Sequence, residues 1–202
     1  IGGITNVSLL GGGELIGFDT GPGNCLLDSW IKRNRKRDYD NKGRWAKSGT
    51  VDQDLLNIMM KDKYFSLKPP KSTGPDYFNL TGLEECLMEL NREVDPSDTQ
   101  ATLVELTACS LSNSLEKLKI VSEKIYICGG GVHNRFLMSR ISFLLGKKCY
   151  TTAKLGLDPD YIEAICFAWL AYKRVHNFKF DMSAITGSNE EVFLGKVYLP
   201  AK

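Results

Sequence analysis

The stretch Gly17-Phe18-Asp19-Thr20-Gly21-Pro22-Gly23-Asn24 decides the reading of this chain, because it sets an acid in a glycine-rich turn between a strand-like run and an apolar helix. Upstream, Ile4, Val7, Leu9 and Leu10 and then Leu15, Ile16 and Phe18 form two short apolar runs separated by Gly11-Gly12-Gly13, the pattern of a β-hairpin. Downstream, Leu26, Leu27, Trp30 and Ile31 recur at helical spacing. Gly21 and Gly23 can take backbone angles that other residues avoid and let another group approach the main chain closely. Such a turn can present the Asp19 carboxylate to a ligand. It is equally served if Asp19 only bonds its own turn amides, and the local pattern leaves both readings open.

With 202 residues, 43% hydrophobic and 25% charged, the chain can build a sizeable core as a soluble globular protein of one domain or two small subdomains. A net charge of +2 gives no strong global field, so neither nucleic acid nor an anionic membrane is expected as a partner. No apolar stretch is long enough to span a bilayer and no secretory leader pattern opens the chain, which predicts a cytoplasmic protein. Cys25, Cys86, Cys109, Cys128, Cys149 and Cys166 are widely spaced, form no C-x-x-C pair, and read as buried reduced thiols. With only His133 and His176 to assist them, no zinc cluster is expected.

Helices are expected over residues 24–34, 51–60, 80–93 and 98–118, the last rich in small and apolar residues and capped by Ser97 or Asp98. The basic run Lys32 to Arg37 reads as a solvated helix end, since cations favour a helix C-terminus and Asp38 and Asp40 follow at once. Pro69-Pro70-Lys71-Ser72-Thr73-Gly74-Pro75 reads as an ordered loop on a cleft rim, with Lys71 a plain surface lysine by default. A strand, Lys124-Ile125-Tyr126-Ile127-Cys128, then runs into Gly129-Gly130-Gly131 and a helix carrying Phe136, Leu137, Met138, Ile141 and Leu144. A backbone stripped of side chains before a helix can admit a nucleotide; a tight turn without ligand is the alternative. Cys149 to Thr152 reads as a strand, and Asp158-Pro159 as the cap of a helix with Ile162, Ile165, Phe167, Ala168, Trp169 and Ala171 in the core. Glu163 on that helix either favours its positive end or faces a polar cavity. Val192 to Tyr198 reads as a closing strand.

Taken together, Ile1-Gly2-Gly3-Ile4-Thr5-Asn6-Val7, Gly17 to Asn24, Pro70-Lys71-Ser72-Thr73-Gly74, Cys128-Gly129-Gly130-Gly131-Val132-His133-Asn134 and Asp158-Pro159-Asp160-Tyr161-Ile162-Glu163-Ala164 resemble the anhydro-N-acetylmuramic acid kinase family. The resemblance runs in order along essentially the whole chain. It implies an α/β lobe of the actin, Hsp70 and hexokinase type (ribonuclease H-like), a mixed sheet with flanking helices. Such kinases use ATP and Mg²⁺ to open the 1,6-anhydro ring of a recycled peptidoglycan sugar with water while phosphorylating O6. Residues 1–202 are expected to be the C-terminal lobe, because the family's opening glycine-threonine-serine phosphate loop has no counterpart here; a non-catalytic nucleotide-binding or interaction lobe of the same fold is the alternative.

By the same resemblance, Asp19 matches the catalytic aspartate and Glu163 a glutamate that orients sugar or water, with Thr20 and Asn24 beside the sugar. Gly2, Gly3 and Asn6 would supply part of a phosphate loop, and Gly129, Gly130, Gly131 and Asn134 would flank the nucleoside. No residue of this chain is assigned to the metal. Pro75 stands where the family usually carries Arg. The expected partners are the amino sugar and ATP, with a homodimer left open.

Overall fold

The computed structural model describes residues 1–10, 16–119, 124–186 and 188–198. Strands β1 (Ile4–Leu9) and β2 (Ile16–Pro22) pair antiparallel, as the two apolar runs predict; the glycines expected to turn between them lie outside the described residues. The register slips between Thr5 and Asn6, so that Asn6 faces Asp19 while Thr5 faces Gly21 and Thr20 is the extra residue of a bulge. Phe18 and Thr20 are thereby buried and Asp19 turns to the opposite face.

Helix α1 (Asn24–Arg35) follows at once and buries Leu26, Leu27, Trp30 and Ile31, the stripe read from spacing. The start of α1 is tied to the segment before β1. Gly2 O accepts from Asn24 N at 2.8 Å, and Gly3 O from Gly23 N at 2.9 Å and Cys25 N at 3.0 Å. A Cβ at Gly23 would stand 2.4 Å from Gly2 O, which is why this position is glycine. The basic end of α1 is solvated and paired: Lys32 with Asp38, Arg33 with Glu84.

Short helices α2 (Arg44–Ser48) and α3 (Gln53–Met60) lead to α4 (Leu80–Glu89) and the central α5 (Pro96–Lys117). At about 1.5 Å per residue α5 is roughly 33 Å long. It buries residues around most of its circumference, Leu103, Val104, Leu106 and Ala108 at 1% exposure or less. Its buried threonine and glutamine donors go to backbone: Thr107 to Leu103 O and Gly23 O, Gln100 Nε2 to Leu27 O. The cap is Asp95, accepting from Ser97 N at 2.7 Å, with Pro96 in the first turn, rather than Ser97 or Asp98 as expected.

Strands β3 (Ile125–Ile127) and β4 (Cys149–Thr151) pair parallel on either side of α6 (Arg135–Leu144). The expected mixed sheet is therefore replaced, among the described residues, by two separate two-stranded sheets. Part of the reason is local. Asp19 N donates to Lys71 O at 3.1 Å, so a loop occupies the side of β2 away from β1. The tail does not form the expected strand: Phe180 and Val192 make one isolated bridge, and Gly195, at φ +100°, breaks the extended run.

Helix α7 (Ile162–Val175) begins three residues later than the Asp158-Pro159 cap predicts, after a turn, and α8 (Ser183–Thr186) follows. None of the residues of α7 is buried, so the expected core stripe is corrected: Ile165, Phe167 and Trp169 are exposed, Phe167 by 64%. All six cysteines are free thiols, but five are half-buried, not buried, and Cys166 on α7 is exposed. No helix among the described residues is long and apolar enough to cross a membrane.

Candidate functional site

The hairpin bulge turns Asp19 toward a small ring of donors. Asn6 Nδ2 donates to Oδ1 at 2.8 Å, while Ser72 Oγ and Thr73 N each donate to Oδ2 at 2.9 Å. The Asp19 backbone is pinned as well, its N–H to Lys71 O and its carbonyl to Tyr64 Oη at 2.8 Å. The acid therefore bonds a loop far along the chain, not its own turn amides. A carboxylate offers about four lone-pair sites; three are used, and the fourth, on Oδ1, can take a further hydrogen-bond donor.

The surroundings of Asp19 are tuned by burial and charge. Burial, and after it the Asp19 charge, pushes the Tyr64 phenol above its usual range, so it stays a donor to the Asp19 carbonyl. Lys71 is no plain surface lysine. Its Nζ lies 4.4 Å from the centre of the Tyr64 ring and donates to Tyr64 O. Burial, then neighbouring Lys117, pulls its ammonium below the usual lysine range, with Asp19 acting the other way. Thr73 Oγ1 is buried without a hydrogen-bond partner.

The triple glycine builds a second centre, a cavity of about 700 Å³ between α1 and the start of α6. Two of its glycines answer to packing. A Cβ at Gly129, which sits at φ +81°, would stand 2.7 Å from Ile1 O, and one at Gly131 would stand 2.6 Å from Ile1 Cγ2. Of the three, Gly130 alone opens on the cavity, where a Cβ would meet only Asn24 Nδ2, at 3.7 Å. Asn134 lines the same cavity but is only 8% exposed, and its Oδ1 caps α6 by accepting from Leu137 N at 3.0 Å. That oxygen also abuts Gly43, at φ +69°, where a Cβ would be 2.1 Å away.

The predicted residues thus fall into several places. Asp19 and Asn6 form one cluster, Asn6 being a direct partner of the acid. Asn24, Gly130 and Asn134 share the cavity. The Asp19 cluster and the cavity are joined by the chain itself, since β2 carries Asp19 straight into α1. Gly2 and Gly3 stand beside α1, exposed, with their carbonyls committed to its first amides. Glu163 is exposed in the first turn of α7 and is not brought to either cluster. Thr20 is fully buried, and its hydroxyl donates inward to Thr5 O at 3.2 Å.

Sequence reasoning missed Tyr64, Ser72 and Thr73 as partners of Asp19, and Asp28 in the cavity. Helical spacing held a signal for Asp28, one turn after Asn24 at the edge of the buried stripe. Nothing local in the sequence ties residues 71–73 to Asp19.

The sequence profile described as anhydro-N-acetylmuramic acid kinase matches residues 1–200. Curated relatives of that name include those of Saccharophagus degradans, 43% identical over 202 residues, and Pasteurella multocida, 45% identical over 201. A third, from Coxiella burnetii, is 43% identical over 203 residues. The alignments cover 98–99% of this chain but 53–54% of each relative, so the chain spans about half the length of the curated relatives it matches.

Proposed function

This chain belongs to the anhydro-N-acetylmuramic acid kinase family, and we propose that it forms one lobe of a two-lobed kinase of the actin, Hsp70 and hexokinase type. The proposed reaction opens 1,6-anhydro-N-acetylmuramic acid with water and transfers the γ-phosphoryl group of ATP to O6. The observation that carries this reading is the Asp19 carboxylate, held by three donors with acceptor capacity left over.

Asp19 accepts a proton from water as the water oxygen bonds to the anomeric carbon. The bond from that carbon to O6 breaks, and O6 takes the phosphoryl group while ADP leaves. A positioned general base contributes typically about 10²–10⁴-fold, and fixing the carboxylate by Asn6, Ser72 and Thr73 keeps the acceptor aimed before substrate arrives. The nucleoside is proposed to sit against Gly130 in the cavity, where the lack of a side chain leaves room. Mg²⁺ supplies charge neutralisation on the phosphates when bound. Among the described residues no three His, Cys, Asp or Glu side chains gather to hold a metal. Magnesium is commonly held by substrate phosphates and water, so it is proposed to arrive with ATP.

Glu163 and the phosphate-loop roles of Gly2 and Gly3 belong to the assembled protein, where a second lobe can bring α7 and the reacting groups together. The gene decides which lobe this is. A glycine-rich phosphate loop encoded before Ile1 makes it the C-terminal lobe, as the motifs predict; the remaining half encoded after Lys202 makes it the N-terminal one. The activity is tested with the full-length protein, ATP, Mg²⁺ and the anhydro sugar in ¹⁸O-labelled water. Mass spectrometry should find the 6-phosphate carrying one ¹⁸O at the anomeric position. An unlabelled phosphorylated product, or none, refutes the reaction.

A further inference from the structure

We propose that Asp28 is the residue that selects a ribonucleotide, its carboxylate accepting the 2′ and 3′ hydroxyls of the nucleoside seated against Gly130. The inference rests on the nucleotide reading above and adds to it a specificity-determining residue. Asn24 and Asp28 lie one turn apart on α1, so they share a face, and both line the cavity, whereas Trp30 and Ile31 are buried in the core. Gly130 stands against Asn24. Asp28 is then about 6 Å farther along the helix axis from that glycine, on a cavity wall shared with Leu27.

Asp28 is half-buried and has no hydrogen-bond or ion-pair partner among the described residues. The other acid of the cavity is already spent: the two oxygens of Asp40 accept from Trp45 N and Ala46 N at 3.0 and 2.8 Å. Burial, and after it nearby Asp38, pushes the Asp28 carboxyl up to about 6, so near neutral pH it is an unmet, partly desolvated acceptor. Desolvated and unpaired acids in a cleft are candidates for ligand contact. Phosphate oxygens would be repelled. The edges of adenine mix donors with acceptor nitrogens, one of which would face the carboxylate. A vicinal diol offers two convergent O–H donors and no such penalty, and an acid bonding ribose hydroxyls is a recurring solution in nucleotide sites.

The test titrates ATP, 2′-deoxy-ATP and 3′-deoxy-ATP calorimetrically into the full-length kinase, its Asp28→Asn variant and its Gly130→Val variant, with circular dichroism on each. The wild type should bind ATP about 10-fold more tightly than either deoxynucleotide, in keeping with a hydrogen bond to a charged group. Asp28→Asn should bind all three within about threefold of one another, and Gly130→Val should weaken all three. Equal binding of the three by wild type, or full discrimination retained by Asp28→Asn, overturns the role of Asp28. If ATP binds and Gly130→Val blocks it while the sugar hydroxyls make no difference, the ribose assignment alone falls. If Gly130→Val leaves ATP affinity unchanged, or wild type binds no nucleotide, the cavity reading falls with it.

Discussion

Gly130 and its neighbours show how residues of one type in one motif do different work. Gly129 and Gly131 are glycine because the chain at Ile1 passes too close for a Cβ, whereas a Cβ at Gly130 would meet only Asn24 Nδ2, at 3.7 Å, beside the cavity. Gly129→Ala should therefore destabilise the protein by about 1–3 kcal/mol, through a strained φ and a backbone clash, read from urea midpoints. Gly130→Val should leave those midpoints nearly unchanged. Asp28 allows a second prediction with a defined sign. Its carboxyl is raised to about 6 in the fold against an ordinary 3.8, so the folded state binds the proton more tightly than the unfolded one. Stability is then lost as pH rises from about 4 to about 6. Asp28→Asn removes that loss. In thermal melts of the ligand-free full-length protein, the variant should match wild type near pH 4 and melt higher above pH 6. Parallel curves across the range would contradict the assignment.

At the scale of elements, α5 and α6 are joined by a bidentate pair. Arg140 Nε and one terminal nitrogen donate to Glu105 at 2.6 and 2.8 Å, with the Glu105 side chain 9% exposed. Removing one partner of a buried pair costs about 3–5 kcal/mol; the 27% exposure of Arg140 places this pair toward the lower figure. Arg140→Met should lower the urea midpoint accordingly, and Arg140→Met with Glu105→Leu should regain most of it. A double variant no better than the single would show that the pair orders the two helices instead of merely neutralising itself. Elements with a strong period are legible in the sequence. The α1 stripe, the buried character of α5 and the first hairpin all follow from spacing. The same spacing misleads at α7, because periodicity reports an apolar face and not what covers it. The Asp19 ring is illegible for another reason: Ser72 and Thr73 are brought to the acid by a loop whose path depends on the packing of Tyr64 and Phe65.

The whole molecule presents a packed body around α5 and an apolar helix, α7, with no buried residue. Exposed apolar surface of this kind marks an interaction face, and relatives about twice as long supply a candidate to cover it. In the full-length protein, amide exchange over α7 should be markedly slower than in residues 1–202 alone; equal rates would leave the face without that partner. In the proposed two-lobed arrangement, lobe closure would align the reacting groups and exclude water, so the 202-residue chain by itself should form no sugar 6-phosphate. The base itself is tested by Asp19→Asn in the full-length enzyme, with turnover followed by mass spectrometry of the 6-phosphate and ATP binding by calorimetry. Turnover should fall at least about 10²-fold while ATP binds as in wild type; near-native turnover by the folded variant would contradict Asp19 as the base.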